Sequence, residues 1–251
     1  MVKVLLCGAN GKMGHAVRNA AAETENVKIV AGFDINTQCD DFPIYDDFNK
    51  ITEEIDCIID FSNCEVVGEV LNFARETKTP AIICTTGLSK EQTSMIEFYS
   101  REIPIFFSAN MSIGVNLMMD LARKASQILD GSFDIEIIEK HHNQKLDAPS
   151  GTALALADAI SESVSFAPQY TYDRHSVRKK RDKNEIGIHA VRGGNIVGEH
   201  TIIFAGNDEV VEIKHSATSK NVFAVGAVRA ALFMKGKEPG LYNMTDLIKE
   251  A

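Results

Sequence analysis

The chain has 251 residues, 45% of them hydrophobic and 24% charged, with a formal net charge of −9. That composition suits one large or two smaller globular domains with a substantial core, and excludes an intrinsically disordered chain. The acidic balance argues against a nucleic-acid or anionic-membrane partner, and no apolar run approaches the ~20 residues of a membrane span. An anionic ligand must therefore be drawn in by a local basic site.

In chain order, residues 3–7 read as a short apolar strand, too short and lacking the small-residue cleavage site of a secretory leader. A glycine-rich turn follows, then a helical stretch to about residue 24 and a second strand over 27–33 that ends at Asp34. Further apolar strands are expected at 57–61, 81–84 and 103–107, separated by helices over about 65–76 and 90–100. This alternation predicts an α/β architecture with a doubly wound parallel sheet, which binds ligands at the carboxyl ends of its strands.

Beyond residue 110 the pattern changes. A long helix is expected over 113–129, with Leu117, Leu121 and Ile128 at helical spacing. Strands then cluster at 134–140, 186–191, 195–204 and 210–215, predicting a second, α+β domain built on an open mixed sheet. A helix over 221–233 carries a small-residue face suited to close packing and is read as returning to the first domain. The expected division is 1–112 with 222–251, and 113–221. The basic run Arg178-Lys179-Lys180-Arg181 reads as a solvated loop. Five cysteines, Cys7, Cys39, Cys57, Cys64 and Cys84, form no C-x-x-C pair and read as reduced thiols of a reducing cytoplasm.

The turn Gly8-Ala9-Asn10-Gly11-Lys12-Met13-Gly14 lies between a strand and a helix. Its spacing is G-x-x-G-x-x-G, with Ala9 where the commoner dinucleotide fingerprint has glycine. The physical needs are shared: a tight turn, close backbone approach to a pyrophosphate and close helix–strand packing. Asp34 ends the next strand, where an acid accepts from ribose hydroxyls, so the first domain is expected to be a Rossmann-type dinucleotide-binding domain. Ile35 and Asn36 follow Asp34, with no adjacent cation, so charge repulsion should disfavour a 2′-phosphate. NADH is favoured, and Lys12 keeps NADPH in play. Two more loops end strands on the same side, Thr85-Thr86-Gly87 and Ser108-Ala109-Asn110-Met111.

The strand near 134–140 runs into His141 and His142. Lys145 follows, then Asp147-Ala148-Pro149-Ser150-Gly151-Thr152 opens a helix. Proton donors and a cation beside a helix N-terminus make a pocket for a small carboxylate that must also receive a proton. Adjacent residues of a strand point oppositely, so the histidines share one role only if the strand has ended. Glu139 raises the question of a metal, but the histidines diverge and no third ligand has zinc-type spacing, so none is expected. His189, His200 and His215 lie in strand-like context and read as packing or interface residues.

Taken together, these residues resemble the 4-hydroxy-tetrahydrodipicolinate reductase family of the lysine and diaminopimelate pathway. The resemblance spans nearly the whole chain. It is carried by the glycine turn, Asp60-Phe61-Ser62, Thr85-Thr86-Gly87, Ala109-Asn110, the string from Glu139 to Ala153, and the stretch from Val191 to Thr201. It implies a cytoplasmic homotetramer that reduces a small dicarboxylate with NAD(P)H. It further implies that His141 donates the proton and that Lys145 is a second essential cation. His142, Ser150, Gly151 and Thr152, with Thr86, would hold the substrate. Gly8, Ala9, Asn10, Gly11, Lys12, Met13, Asp34, Thr85, Thr86, Gly87, Ser108, Ala109, Asn110 and Met111 would line the cofactor. Met111 departs from the aromatic residue often found there in relatives. Two other readings compete: a related amino-acid dehydrogenase on the same scaffold, which should lack the full His-His-x-x-Lys and Ser-Gly-Thr set, and an NAD(H)-sensing regulator, which needs no proton donor.

Overall fold

The computed structural model describes residues 1–39, 41–108 and 110–250. The chain divides into two compact units, 1–113 with 221–251, and 114–220.

The first unit is wound on β1 (Val2–Cys7), α1 (Lys12–Ala22), β2 (Val27–Phe33), β3 (Ile44–Tyr45) and β4 (Cys57–Asp60). It continues through α2 (Val67–Thr77), β5 (Ala81–Ile83), α3 (Lys90–Tyr99) and β6 (Pro104–Phe107). Its seven strands lie in the order β12-β6-β5-β4-β1-β2-β3, where β12 (Gly240–Tyr242) comes from the C-terminal segment. All pairings are parallel. Strands covered on both faces read as unbroken apolar runs, which is why β4 and β5 are buried at every residue. Val17, Ala20 and Ala21 of α1 pack on one face together with Ala227, Val228 and Ala231 of α6 (Asn221–Phe233) and Leu247 of α7 (Met244–Lys249). Val67, Val70 and Leu71 of α2 and Ile96 of α3 cover the other face. The chain reverses winding direction between β1 and β4, the switch point at which such sheets take ligands. The small-residue face of α6 has a physical reason: a Cβ on Gly226 would lie 1.8 Å from the Met111 carbonyl oxygen.

The second unit holds α4 (Ile113–Leu129, from its second residue), β7 (Asp134–His141), α5 (Gly151–Ser161), β8 (Gln169–Thr171), β9 (Glu185–Arg192), β10 (Gly198–Ala205) and β11 (Val210–Ala217). Strand order is β11-β10-β7-β9-β8, antiparallel across β11-β10-β7 and parallel across β7-β9-β8. Ile135 and Ile137, Ile186 and Ile188, and Ile202 and Phe204 pack one face of the sheet against Met118 and Ala122 of α4 and Leu156 and Ile160 of α5. On the opposite face the residues of β7 and β10 are only half-buried, and Lys140 and Lys214 reach Glu199 at 3.3 and 3.4 Å.

Two expectations require correction. Leu117, Leu121 and Ile128 are exposed, and α4 instead buries Val115, Met118, Ala122 and Ser126. The buried face of α4 includes small and polar residues where the sheet approaches. Arg181, placed in a solvated loop, is largely buried and ties Asp134 and Glu136 at 2.8 and 3.1 Å. The five cysteines are free thiols, and burial pushes the Cys7, Cys57 and Cys84 thiols up.

Close to Arg181, Arg174 donates to buried Glu185 at 2.6 Å, with further help from the Asp182 N–H and Lys179. Arg174 outweighs burial and holds the Glu185 carboxyl down at about 2, against an ordinary 4.5. A carboxyl depressed by folding contributes stability that is complete above the unfolded value and is lost as pH falls toward the folded one. Glu185→Gln is expected to flatten the fall in unfolding free energy between about pH 4.5 and 2. Denaturant titrations across that window test it, and an unchanged slope contradicts the assignment.

Candidate active site

In the first unit the glycine turn is sterically determined. Gly8 sits at φ +74°, and a Cβ there would lie 2.5 Å from the Phe61 carbonyl oxygen. A Cβ on Gly14 would lie 2.2 Å from the Gly8 carbonyl oxygen and 2.5 Å from that of Ala9. Ala9 is fully buried, while Gly11 and Lys12 are exposed where α1 begins without a side-chain cap. Uncapped N–H groups behind a turn that excludes side chains form a cradle for a pyrophosphate. Met13 packs its side chain on the core. The turn and α1 therefore have the steric form that a pyrophosphate requires.

Asp34 lies beside that cradle. Its carboxylate accepts from Asn10 N at 2.9 Å and Asn36 N at 3.0 Å. The Asn10 side chain turns away to donate to the Asn36 and Gln38 carbonyls at 2.6 and 3.1 Å. Arg18, not singled out from sequence, donates to Asn10 Oδ1 at 3.4 Å and to Asp41 at 2.8 Å, which brings a cation close to Asp34.

The loop after β5 is braced by Asp60. This carboxylate is fully buried and accepts from Thr85 Oγ1 at 2.8 Å, Ser62 Oγ at 2.5 Å and Ser62 N at 3.0 Å. Burial pushes its carboxyl up against the pull of those donors. Thr85 is thereby turned inward, while Thr86 and Gly87 are exposed, the latter at φ +75°. Ser108 donates to the Asn110 carbonyl at 3.2 Å, and Asn110 Oδ1 accepts from Ser112 N at 2.8 Å. Met111 is buried in the core of the unit. Ala109 lies outside the described residues.

The second unit gathers the proton-transfer candidates at one end of its sheet. β7 ends at His141, so His142 is free of strand alternation and half-buried just beyond it. Lys145 closes the next turn by donating its N–H to the His142 carbonyl at 3.2 Å, and its ammonium meets Asp147 at 2.9 Å. A cis Ala148–Pro149 bond leads to Ser150, the N-cap of α5, whose Oγ accepts from Ala153 N at 3.2 Å. Gly151 is exposed and Thr152 half-buried in the first turn of α5. Lys145 holds the Asp147 carboxyl below its ordinary range against the effect of burial, with smaller help from its own N–H and then that of Gly151.

Behind His141 lies an ionic core that the sequence reading did not assign. Glu139 is fully buried, two residues back and on the same face of β7. It meets His141 Nδ1 at 2.6 Å, accepts both Arg192 Nη atoms at 2.7 Å, and accepts Ser150 N at 3.0 Å. Burial alone pushes the Glu139 carboxyl up, but Arg192, His141 and the Ser150 N–H outweigh it and hold the carboxyl low. The register explains the meeting: Glu139 faces His200 on β10, and His141 faces Arg192 on β9. His200 was read as a packing residue, yet its Nε2 lies 3.2 Å from Ser150 Oγ, and its ring stands edge-on to His141 at 5.3 Å. Burial, reinforced by His141, lowers His200 to about 4, so the ring is neutral near pH 7. The signal was available: a Glu and a His on otherwise apolar faces, at the period-two spacing of the buried side.

Comparison with known proteins is consistent from end to end. Residues 2–111 match the family model for the dihydrodipicolinate reductase N-terminus, and residues 114–248 match that for the C-terminus. The chain belongs to the dihydrodipicolinate reductase family. It is 51% identical over 250 residues to 4-hydroxy-tetrahydrodipicolinate reductase of Caldanaerobacter subterraneus subsp. tengcongensis, covering 100% of this chain and 99% of that one. The Clostridium tetani protein of the same name is 50% identical over 245 residues, covering 97% and 96%. A solved structure, dipicolinate-bound dihydrodipicolinate reductase from Paenisporosarcina sp. TG-14, superposes with a TM-score of 0.79 at 26% identity, covering 97% of each chain. The chain is thus an NAD(P)H-dependent reductase of lysine and diaminopimelate biosynthesis. The amino-acid dehydrogenase and sensor readings are set aside.

Proposed function

We propose that the chain reduces 4-hydroxy-tetrahydrodipicolinate to tetrahydrodipicolinate: the 4-hydroxyl leaves as water to give a conjugated imine, hydride then adds to the ring, and His141 supplies the proton that follows. The reading is carried by one observation in the second unit. Lys145 already holds a carboxylate, that of Asp147, within the segment that starts at His141 and leads into α5, with the Gly151 N–H a minor contributor. A substrate carboxylate has the same charge and geometry, and it would take up those donors.

When bound, reduced pyridine nucleotide supplies the hydride. The residues of the chain do the rest. Gly8, Ala9, Asn10, Gly11, Lys12 and Met13 cradle the pyrophosphate, and Asp34 accepts from the ribose. Thr85, Thr86, Gly87, Ser108, Asn110 and Met111 border the nicotinamide side. The first unit, 1–113 with 221–251, is the dinucleotide-binding domain and 114–220 the substrate-binding and oligomerisation domain. His142, Lys145, Ser150, Gly151 and Thr152, with Thr86, bind the dicarboxylate. Electron density arriving with the hydride spreads over the carbon–nitrogen framework, and His141 delivers the proton that quenches it. The half-buried sheet face of β7 and β10 supports a homotetramer, and five free thiols support a reducing cytoplasm. No described helix is long and apolar enough to cross a membrane.

NADH is the preferred cofactor. Asp34 is an anion at the ribose edge, and Arg18 is already engaged by Asp41, which leaves Lys12 as the cation to soften repulsion of a 2′-phosphate. NADH and NADPH oxidation, followed in parallel with enzymatically generated substrate, tests both statements. Turnover is expected with both cofactors and a kcat/KM for NADH at least equal to that for NADPH. A large NADPH preference refutes the Asp34 argument, and no turnover with either refutes the reaction.

A further inference from the structure

We propose that Glu139, clamped by Arg192, is the positioning residue of the proton donor: it fixes the His141 ring with hydrogen on Nδ1, so that the delivered proton leaves from Nε2. This rests on His141 being the donor, as proposed above.

The geometry leaves Glu139 little freedom. Each of its oxygens takes two donors, Oε2 from His141 and Arg192, and Oε1 from Arg192 and Ser150 N. An ionised carboxylate only accepts, so the 2.6 Å contact places the hydrogen on His141 Nδ1. Nε2 is then the working nitrogen, and it lies beside Gly198 at the start of β10, where an added Cβ would come within 3.1 Å of it. Arg192 locks the carboxylate from β9 and also donates to the Asp147 carbonyl at 2.6 Å. The same carboxylate therefore joins the donor ring to the loop bearing Lys145 and to the cap of α5. A ring already oriented need not reorganise when the proton moves, and the coupling shows on the carboxylate, which His141 helps to hold low.

The other groups around His141 do not duplicate this role. His200, on β10, is neutral near pH 7 and engages Ser150. Arg192 and Lys145 are cations and oppose an imidazolium. Glu139 is the anion that balances them, while Asp147 balances Lys145.

The test is Glu139→Gln in the full chain, which keeps the shape of the side chain and removes its charge. We expect kcat to fall roughly 10- to 100-fold, the scale on which partners orienting a working histidine matter. The basic limb of the kcat/KM profile, where the donor loses its proton, is expected to move at least about one pH unit lower. NADH binding, measured by fluorescence, is expected to stay within about twofold of the parent. Unchanged kcat and profile overturn the proposal. So does a fall in kcat with the limb unmoved, because a merely structural role gives that result. If Glu139→Gln does not fold, selective 15N-histidine labelling of the unsubstituted protein decides. A neutral His141 carrying hydrogen on Nδ1 supports the proposal, and one carrying it on Nε2 overturns it. His141→Ala separates the two readings. A collapse there beside a normal Glu139→Gln removes only the positioning role, whereas activity retained in both removes His141 as donor.

Discussion

His141→Ala is expected to lower kcat by about 10²- to 10⁴-fold, the range of a positioned general acid, while NADH still binds. The loss concentrates in kcat because the imidazole acts on charge that develops after the hydride has moved, and an interaction made only then barely contributes to ground-state binding. Lys145→Ala should behave differently. On the proposed mechanism its ammonium binds the substrate carboxylate before and during the reaction, so KM is expected to rise and kcat to fall together. Steady-state kinetics on the two variants with unchanged thermal melts distinguish these patterns. Parent-like kinetics in either variant would remove that residue from the mechanism. Part of the His141→Ala deficit comes from behind the ring, because Glu139 would be left with one fewer donor in a fully buried site.

Gly14→Ala is the second large effect, and its sign is diagnostic. Inside an ordinary helix, glycine to alanine stabilises by about 0.5–1 kcal/mol. At Gly14 the new Cβ would meet backbone oxygens of Gly8 and Ala9 at 2.2 and 2.5 Å, atoms that cannot swing aside as a flexible side chain does. Either α1 lifts from the sheet or the turn opens, at an overpacking cost of about 1–3 kcal/mol or more. Both responses displace the N–H cradle, so NADH affinity falls along with stability. Gly68→Ala in α2 is the matched control: a Cβ there meets nothing within 4 Å, and neutral or slightly raised stability is expected. A Gly14→Ala protein with parent-like denaturation and cofactor binding would show that the turn does not need its close approach.

Much of this architecture was legible along the chain. Parallel strands buried on both faces leave apolar runs, and the runs at β1, β2, β4, β5 and β6 were found to within a residue or two of their ends. The helices α4 and α6 have the bounds expected of them. The short β3, β8 and β12 were missed, since two or three residues at a sheet edge carry no periodicity. Helical spacing of Leu117, Leu121 and Ile128 marks a stripe on α4 that is exposed in the unit. Helix packing there follows small residues, Ala122 and Ser126 among them, that allow close approach.

The site divides in the same way. That Gly8, Gly11, Gly14 and Asp34 gather around one turn could be read from spacing, because a turn, its helix and the next strand are local in sequence. His141, Lys145 and Ser150 could be read as well, because one strand end, one turn and one cap lie within ten residues. Such groupings depend on local backbone geometry, which nearby residues largely determine. What surrounds the donor ring depends on strand order and register. Those set Glu139 against His200 and His141 against Arg192, partners about 50 to 60 residues away on β9 and β10. Only a folded mixed sheet decides which charges share one buried face, and burial gives those charges their strength by removing the water that would screen them.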